Sequence, residues 1–273
     1  MIVKPRCVAI IQGRMAASRL PGKVLLDISG KPMLVRVLER TRRAETVGEV
    51  LVATTTDPSD DPVVDFCQAH GYICFRGSQY DVLDRYYQAA RSMQAEVVVR
   101  ITADCPVIDP QLIDRTVTEF FQANADFAAD RLPPPWHRTY PIGLDVEVVT
   151  FAGLERAWQQ ADQPHQREHV MPFFYEGIPT DASVTTQPVT IYRSPRGFRV
   201  VYLNHDRDFG SLRWTVDTSE DLELIRQVYQ HFAGCDDFTW LDVLDLFQRE
   251  PQLAQINAAV QHKAYNDLDQ RNK

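Results

Sequence analysis

Arg14, Arg19 and Lys23 crowd into one short stretch with Gly13, Pro21 and Gly22, directly after the apolar run from Val8 to Ile11. This is a composition that can hold phosphate. The cations supply charge, the glycines allow close backbone approach, and free amides of such a loop can form an anion-binding concavity. It is equally the composition of an ordinary surface turn with solvated charges. Two carboxylates bear on the choice. Asp104 follows the apolar run Val97 to Ile101, and Asp217 follows Arg213 to Val216. Taken singly, each also reads as the cap of a following helix. Taken with the basic loop, they suit Mg²⁺ on a triphosphate, because that ion takes one or two protein carboxylates and fills its other positions with phosphate oxygens and water.

To bring these residues together the chain must form a sheet whose strands end at one edge. After the first strand, Lys31-Pro32 opens a predicted helix with Met33, Leu34, Val37, Leu38 and Thr41 on one face. Its Arg36, Glu39, Arg40 and Arg43 are expected to form a solvated face. Glu49 to Thr54 and Tyr72 to Phe75 are predicted strands flanking a short helix over 60–70. The stretch 81–93 is predicted helical, Val97 to Ile101 a fourth strand, and Asp109-Pro110 the cap and first turn of the next helix. This β-α-β-α-β order implies a parallel sheet with crossover helices, with ligands at the carboxyl ends of its strands.

The middle is less regular. Leu132 to Pro141 is too proline-rich for helix or central strand, and suits a linker, a dimerisation arm or a lid. Asp145 to Thr150 is a predicted strand, Phe151 to Gln160 a helix, and Gln166 opens another helical stretch. Further strands are expected over 184–192, 198–203 and 213–216, and Thr218 to Asp221 resembles a capping box. A single domain over 1–250 is expected, with a nucleotide-binding half at 1–130, an acceptor half with a dimer arm at 131–217, and a polar, frayed tail at 251–273.

Composition narrows the function classes. With 44% hydrophobic residues and 24% charged, the chain is that of a globular protein, and its net charge of −8 argues against a polynucleotide partner. The five scattered cysteines include no CxxC pair, so neither a disulfide framework nor a zinc site is expected. No signal-like or bilayer-length apolar run is evident. A cytoplasmic protein without membrane insertion is the expectation. Cys105, beside Asp104, has no base placed for it and is read as a buried structural thiol.

The segment IIQGRMAASRLPGKVLLDISGKPML resembles the signature of the cytidylyltransferases that activate acidic sugars. It is similar to the 3-deoxy-manno-octulosonate cytidylyltransferases and closer to the spore-coat polysaccharide biosynthesis branch. The likeness continues through VLVATTTDPSDDPVV, FRGSQYDVLDRYYQAA, VVVRITADCPVIDP, TYPIGLDVEVVTFAGLERAW, REHV and LRWTVDTSEDLELI, in family order. It implies a three-layer αβα fold, Rossmann-like, with a mostly parallel mixed sheet, as in the nucleotide-diphospho-sugar transferases. It implies transfer of CMP from CTP to a small sugar acid, with Mg²⁺ as cofactor and a homodimer as the assembly.

The resemblance also distributes roles. Gln12, Gly13, Arg14 and Lys23 would cradle the triphosphate, with Lys23 also stabilising charge on the reacting phosphate, and Asp104 and Asp217 would hold Mg²⁺. Thr54, Thr55, Arg76 and Ser78 fall where the family reads base and ribose, and Asp81, Asp84 and Arg85 in the segment closing over the nucleotide. Tyr140, Gly143, Asp145, Glu147, Arg167, Glu168 and His169 fall in the half that receives the sugar. One departure is visible: where the family has Ser followed by Thr or Ser before the second loop arginine, this chain has Ala17 and Ser18. Two other readings stay open at this point. Asp206 and Asp208 form a DxD of the kind glycosyltransferases use for metal, and the change at Ala17 would suit an inactive nucleotide-binding scaffold.

Overall fold

Alternation along β1 (Cys7–Gln12) decides the architecture, because Ala9 and Ile11 face one apolar layer while Val8 and Ile10 face the other, and all four are fully buried. The structure, a computed structural model, describes residues 5–134, 136–179 and 187–261. A small hairpin of β2 (Asp27–Ile28) and β3 (Lys31–Pro32) follows β1 and leads into α1 (Met33–Arg42). Then come β4 (Glu49–Thr55), α2 (Asp61–Ala69), β5 (Ile73–Gly77), α3 (Val82–Ser92), β6 (Val97–Thr102) and α4 (Pro110–Gln122). The second half adds β7 (Phe127–Ala129), β8 (Glu147–Thr150), α5 (Phe151–Gln160), α6 (Pro164–His169) and α7 (Pro172–Tyr175). It closes with β9 (Val189–Arg193), β10 (Arg199–Leu203), α8 (Ser219–His231) and α9 (Trp240–Arg249).

The large sheet has the order β5, β4, β1, β6, β8, β7, β10, β9. Strands β8 and β9 run antiparallel to their neighbours and the other pairings are parallel, which gives the expected mostly parallel mixed sheet. One apolar layer holds Met33 of α1, Val63 of α2, Leu112 of α4, Leu222 of α8 and Val243 of α9. The opposite layer holds Leu83 of α3, Leu154 of α5 and Phe174 of α7. This is the three-layer αβα arrangement. No helix among the described residues is long and apolar enough to cross a membrane.

Four expectations need correction. Arg36 and Arg40 are not solvated but fully buried. Arg36 donates to the carbonyls of Ile28 (2.8 Å) and Gly234 (2.7 Å) and to Asp236 Oδ2 (2.8 Å), while Arg40 donates to the carbonyls of Ile108 (2.7 Å), Asp236 and Phe238. Loops crossing a helix leave buried carbonyls that need donors, and a guanidinium carries five. The stretch 213–216 is not a strand; only Arg213 bridges, to Ile142. Pro32 is the N-cap of α1 rather than its first-turn residue. Strand β7 was not expected, since three residues carry no readable alternation. The anticipated strand over 184–192 begins at Val189; its positions 184–186, like the tail beyond 261, lie outside the described residues.

Candidate active site

The basic loop leaves β1 under tight steric control. Gly13 N–H still donates to Ala53 O (3.2 Å), and a Cβ at Gly13 would lie 2.9 Å from the Cβ of Ala103, closer than side chains tolerate. The loop then curls on itself, with Ala17 N–H and Gly22 N–H both donating to Met15 O at 2.8 Å. Gly22 has φ 72°, a left-handed conformation that turns the chain so Lys23 points back under the loop. A buried aspartate that the sequence places only at the start of a short helix pins this curl: Asp60 Oδ1 accepts from Met15 N–H (2.7 Å) and Oδ2 from both the N–H and hydroxyl of Thr55. Asp60 thus ties the loop to the end of β4.

Backbone pairing brings the two distant aspartates together. Val216 N–H (2.8 Å) and the Thr215 hydroxyl (3.0 Å) donate to Asp104 O, laying 213–217 across the end of β6. Gly143 makes that crossing possible. It has φ 108°, and a Cβ there would lie 2.6 Å from Thr215 N. Lys23 Nζ then donates to Asp104 Oδ2 (2.8 Å), Asp217 Oδ1 (2.9 Å) and Val216 O (2.7 Å). The other Asp217 oxygen faces Arg19 Nη2 (2.7 Å) and Arg213 Nη2 (2.8 Å).

The electrostatics follow from that geometry. Burial alone would push the Asp217 carboxyl up, but Lys23, Arg213 and Arg19 outweigh it and hold the group well below the usual carboxylate range. Burial would lower the Lys23 ammonium, and Asp104 and Asp217 raise it instead. Both aspartates are therefore aimed, through one oxygen each, at a single cationic atom. Two hard oxygen donors converging on one point are a donor set that fits Mg²⁺. A cleft of about 210 Å³ opens beside them, lined by Gln12, Gly13, Arg14, Lys23, Asp104 and Asp217 together with Ala17, Ser18 and Arg19.

The remaining expected nucleotide contacts sit around the β4 and β5 ends. Thr54 is buried and its hydroxyl has no hydrogen-bond partner among the described residues; Gln12 Oε1 is in the same condition. The Thr55 hydroxyl is committed to Asp60. Arg76 donates to the carbonyls of Thr55 and Asp57 (both 2.9 Å) and pairs with Asp61 (2.7 Å). Ser78 accepts from Asp81 N–H (3.0 Å), and its carbonyl accepts from Arg85 (2.6 Å). Arg85 is buried, and burial, reinforced by Arg14 nearby, pushes it down to about 10. Asp81 caps α3 through Asp84 N–H (2.8 Å).

The expected acceptor residues do not line the cleft. Tyr140 is buried, accepts from Arg115 (2.6 Å) and is pushed up to about 12, chiefly by burial. Asp145 pairs with Arg138 (2.6 Å), and Glu147 with Arg100. Arg167 is engaged by Asp81 and by Trp158 O (2.6 Å), so it ties α6 to the cap of α3. Glu168 and His169 end α6, half-buried, just before Val170 at φ 70°. Cys105 is buried as expected, and burial pushes its thiol up. The DxD pair diverges: Asp206 faces His205 (2.9 Å) and Asp208 faces His137 (2.9 Å), with both carboxylates mostly exposed. No group of three or more His, Cys, Asp or Glu side chains able to hold a metal forms among the described residues, either at this loop or around Asp104 and Asp217.

Sequence reasoning missed the groups that hold Asp217. Arg213 donates through Nε and Nη2 to both oxygens of Asp221 at 2.9 Å. The four-residue spacing from Arg213 to Asp217 was a weak signal. Asp221 read only as the end of a capping box, which it does complete with Thr218.

Comparison with known proteins places these features in a family. A family model described as cytidylyltransferase matches residues 8–235. The spore coat polysaccharide biosynthesis protein SpsF of Bacillus subtilis is 29% identical over 252 residues, 90% of this chain and 95% of that protein. A 3-deoxy-manno-octulosonate cytidylyltransferase of Geobacter sulfurreducens is 40% identical over 110 residues, 40% of this chain and 43% of that protein. The structure of a cytidylyltransferase from Leptospira borgpetersenii serovar Hardjo-bovis superposes with a TM-score of 0.79 at 28% identity, covering 94% of this chain and 100% of that one.

Proposed function

The chain belongs to the cytidylyltransferase family, and from that premise we propose that it transfers CMP from CTP to a sugar acid, releasing pyrophosphate, for surface polysaccharide biosynthesis. The observation that carries this reading is the convergence of Asp104 and Asp217 on Lys23 beneath a basic, glycine-shaped loop. The acceptor class is supported by the names of two relatives, one a 3-deoxy-manno-octulosonate cytidylyltransferase and one a spore coat polysaccharide protein.

In this reading an acceptor hydroxyl oxygen bonds to the α-phosphorus as the bond to the bridging oxygen breaks, pyrophosphate leaves, and the hydroxyl proton passes to solvent. Such a reaction needs positioning and charge neutralisation rather than a covalent nucleophile. Arg14 and Arg19 bind and orient the phosphates. Lys23, held charged by its two carboxylates, meets negative charge developing on the reacting phosphate. Mg²⁺, held by Asp104 and Asp217, would supply further neutralisation of the triphosphate. Gln12, whose Oε1 lacks a hydrogen-bond partner among the described residues, lies in the cleft wall, while the Thr54 hydroxyl is buried at the end of β4. A cytoplasmic homodimer is part of the same proposal.

The test is pyrophosphate release from CTP and Mg²⁺ with a panel of sugar acids. Release with an acid sugar, and its loss in Asp104→Asn, is the expected outcome. Turnover of a preformed nucleotide sugar alone would defeat the proposal, as would nucleotide binding without turnover of any acid.

A further inference from the structure

The last described segment, residues 251–261, lies beyond the stretch matched by the family model yet reaches the groups that hold Asp217. Asn257 is 5% exposed. Its amide donates to Arg213 O (3.0 Å) and to Asp221 Oδ1 (2.8 Å). Asp221 is fully buried, and its carboxylate collects Arg213 Nε and Nη2, Asn257 Nδ2, and the N–H groups of Asp217 (2.9 Å) and Thr218 (3.1 Å). Four residues further on, Gln261 O accepts from Arg19 Nη1 (3.1 Å), the arginine whose other nitrogen faces Asp217 Oδ2. The segment thus touches the Arg19 guanidinium directly and reaches the Arg213 guanidinium through Asp221.

Apolar packing anchors the start of the segment, with Leu253 in the core and Ala254 and Ile256 packed against it. It does not set the position of the Asn257 side chain, whose polar contacts among the described residues run through its amide. A cavity of about 260 Å³ lies beside the segment, with Ile142, Leu212, Arg213, Phe247, Asn257 and Val260 in its wall. Beside that cavity the Asn257 hydrogen bonds fix the register of the segment against residues 213–221.

We propose that Asn257 is a positioning residue for the nucleotide site, fixing the Arg213–Asp221 pair and through it the carboxylate of Asp217. The inference rests on the proposed role of Asp217 in holding the divalent cation. Groups that orient a metal-binding carboxylate typically affect metal affinity or activity by about 10–100-fold when removed. An asparagine suits the position because it is neutral: it donates to Asp221 without adding charge to a buried network.

The experiment is binding of Mn²⁺ with CTP to the full chain, followed by water-proton relaxation, alongside thermal unfolding. Asn257→Ala should weaken Mn²⁺ binding about tenfold, raise the Mg²⁺ concentration for half-maximal rate in parallel, and leave the KM for the acceptor unchanged. Asn257→Asp should weaken it further, because a second carboxylate then faces Asp221. If Asn257→Ala does not fold, Asn257→Ser serves in its place. A lowered unfolding midpoint with unchanged Mn²⁺ affinity overturns the inference, leaving Asn257 a purely structural residue. Asp217→Asn in the same assay separates the two ideas. Unchanged affinity there overturns the role of Asp217 and this inference with it, whereas loss there with none in Asn257→Ala overturns this inference alone.

Discussion

Asp217 and Asp130 stand at two places along the same sheet edge and are driven in opposite directions. Asp217 sits beside the end of β6 among Lys23, Arg19 and Arg213, which hold its carboxyl low against the effect of burial. Asp130 follows β7 and is fully buried; among the described residues one of its oxygens accepts from Val146 N–H (2.9 Å) and the other has no hydrogen-bond partner. Burial, and then the nearby Asp145, push it well above its ordinary value. The contrast extends to the surroundings. Around Asp217 charges share one centre; around Asp130 they are paired off separately, Arg138 with Asp145 and Arg100 with Glu147. Convergent charge is what a polyanion with a cation requires, whereas separate pairs hold a scaffold in register.

The strongest way to break this comparison is at its centre. Lys23→Met should lower the rate of pyrophosphate release by about 10²–10³-fold, the usual loss for one preorganised charge-stabilising group. It also removes the cation shared by Asp104 and Asp217 Oδ1, leaving Asp217 to its Arg19 and Arg213 partners, so thermal unfolding should shift down as well. A rate within a few-fold of the unmodified protein would show that the converged charges do not act on the reacting phosphate.

A smaller effect tests the other pole. Asp130→Asn keeps the acceptor for Val146 N–H and removes the penalty of ionising a buried carboxyl, so it should raise stability by about 1 kcal/mol and the unfolding midpoint by about 2–4 °C. The sign depends on pH. A carboxyl raised in the folded state binds more protons folded than unfolded above its ordinary value of 3.8, so its contribution to stability falls as pH rises through that window. The gain in Asp130→Asn should therefore be present at pH 7 and vanish near pH 3. Asp217 behaves oppositely: its contribution is complete above 3.8 and is lost as pH falls towards its lowered value. Calorimetric unfolding across pH reads both. No pH dependence in the Asp130→Asn difference would remove Asp130 as a strained counterpart.

The smallest expected change is at the DxD. Asp206→Asn should leave turnover within about twofold, because that carboxylate is 76% exposed and pairs with His205 rather than with the cleft residues. A loss comparable to Asp104→Asn would move the metal site to this loop.

Much of this was written in the chain, and the physical reasons are specific. Val8 to Ile11 reads as a buried strand because it is a continuous apolar run, and Val97 to Ile101 because only Arg100 interrupts it; both strands lie centrally in the sheet. The loop from Gly13 to Lys23 was legible because glycine, proline and cations at short spacing are local signals, and local signals survive in sequence. So was the Thr218 to Asp221 capping box, which forms as read. The buried Arg36 and Arg40 were not legible, since helical spacing tells which residues share a face but not that loops bring unpaired carbonyls over the opposite face.

The sequence by itself determined the alternating βα order, the basic loop, the two aspartates and the family they resemble. Only the tertiary structure decided that Asp104 and Asp217 share one ammonium, because that convergence depends on a backbone crossing between residues far apart in the chain, admitted by Gly143 having no Cβ. It alone decided that Asp60 anchors the loop and that Asn257 reaches Asp221. A hydrogen bond between side chains 36 positions apart leaves no periodicity, no spacing and no composition to read.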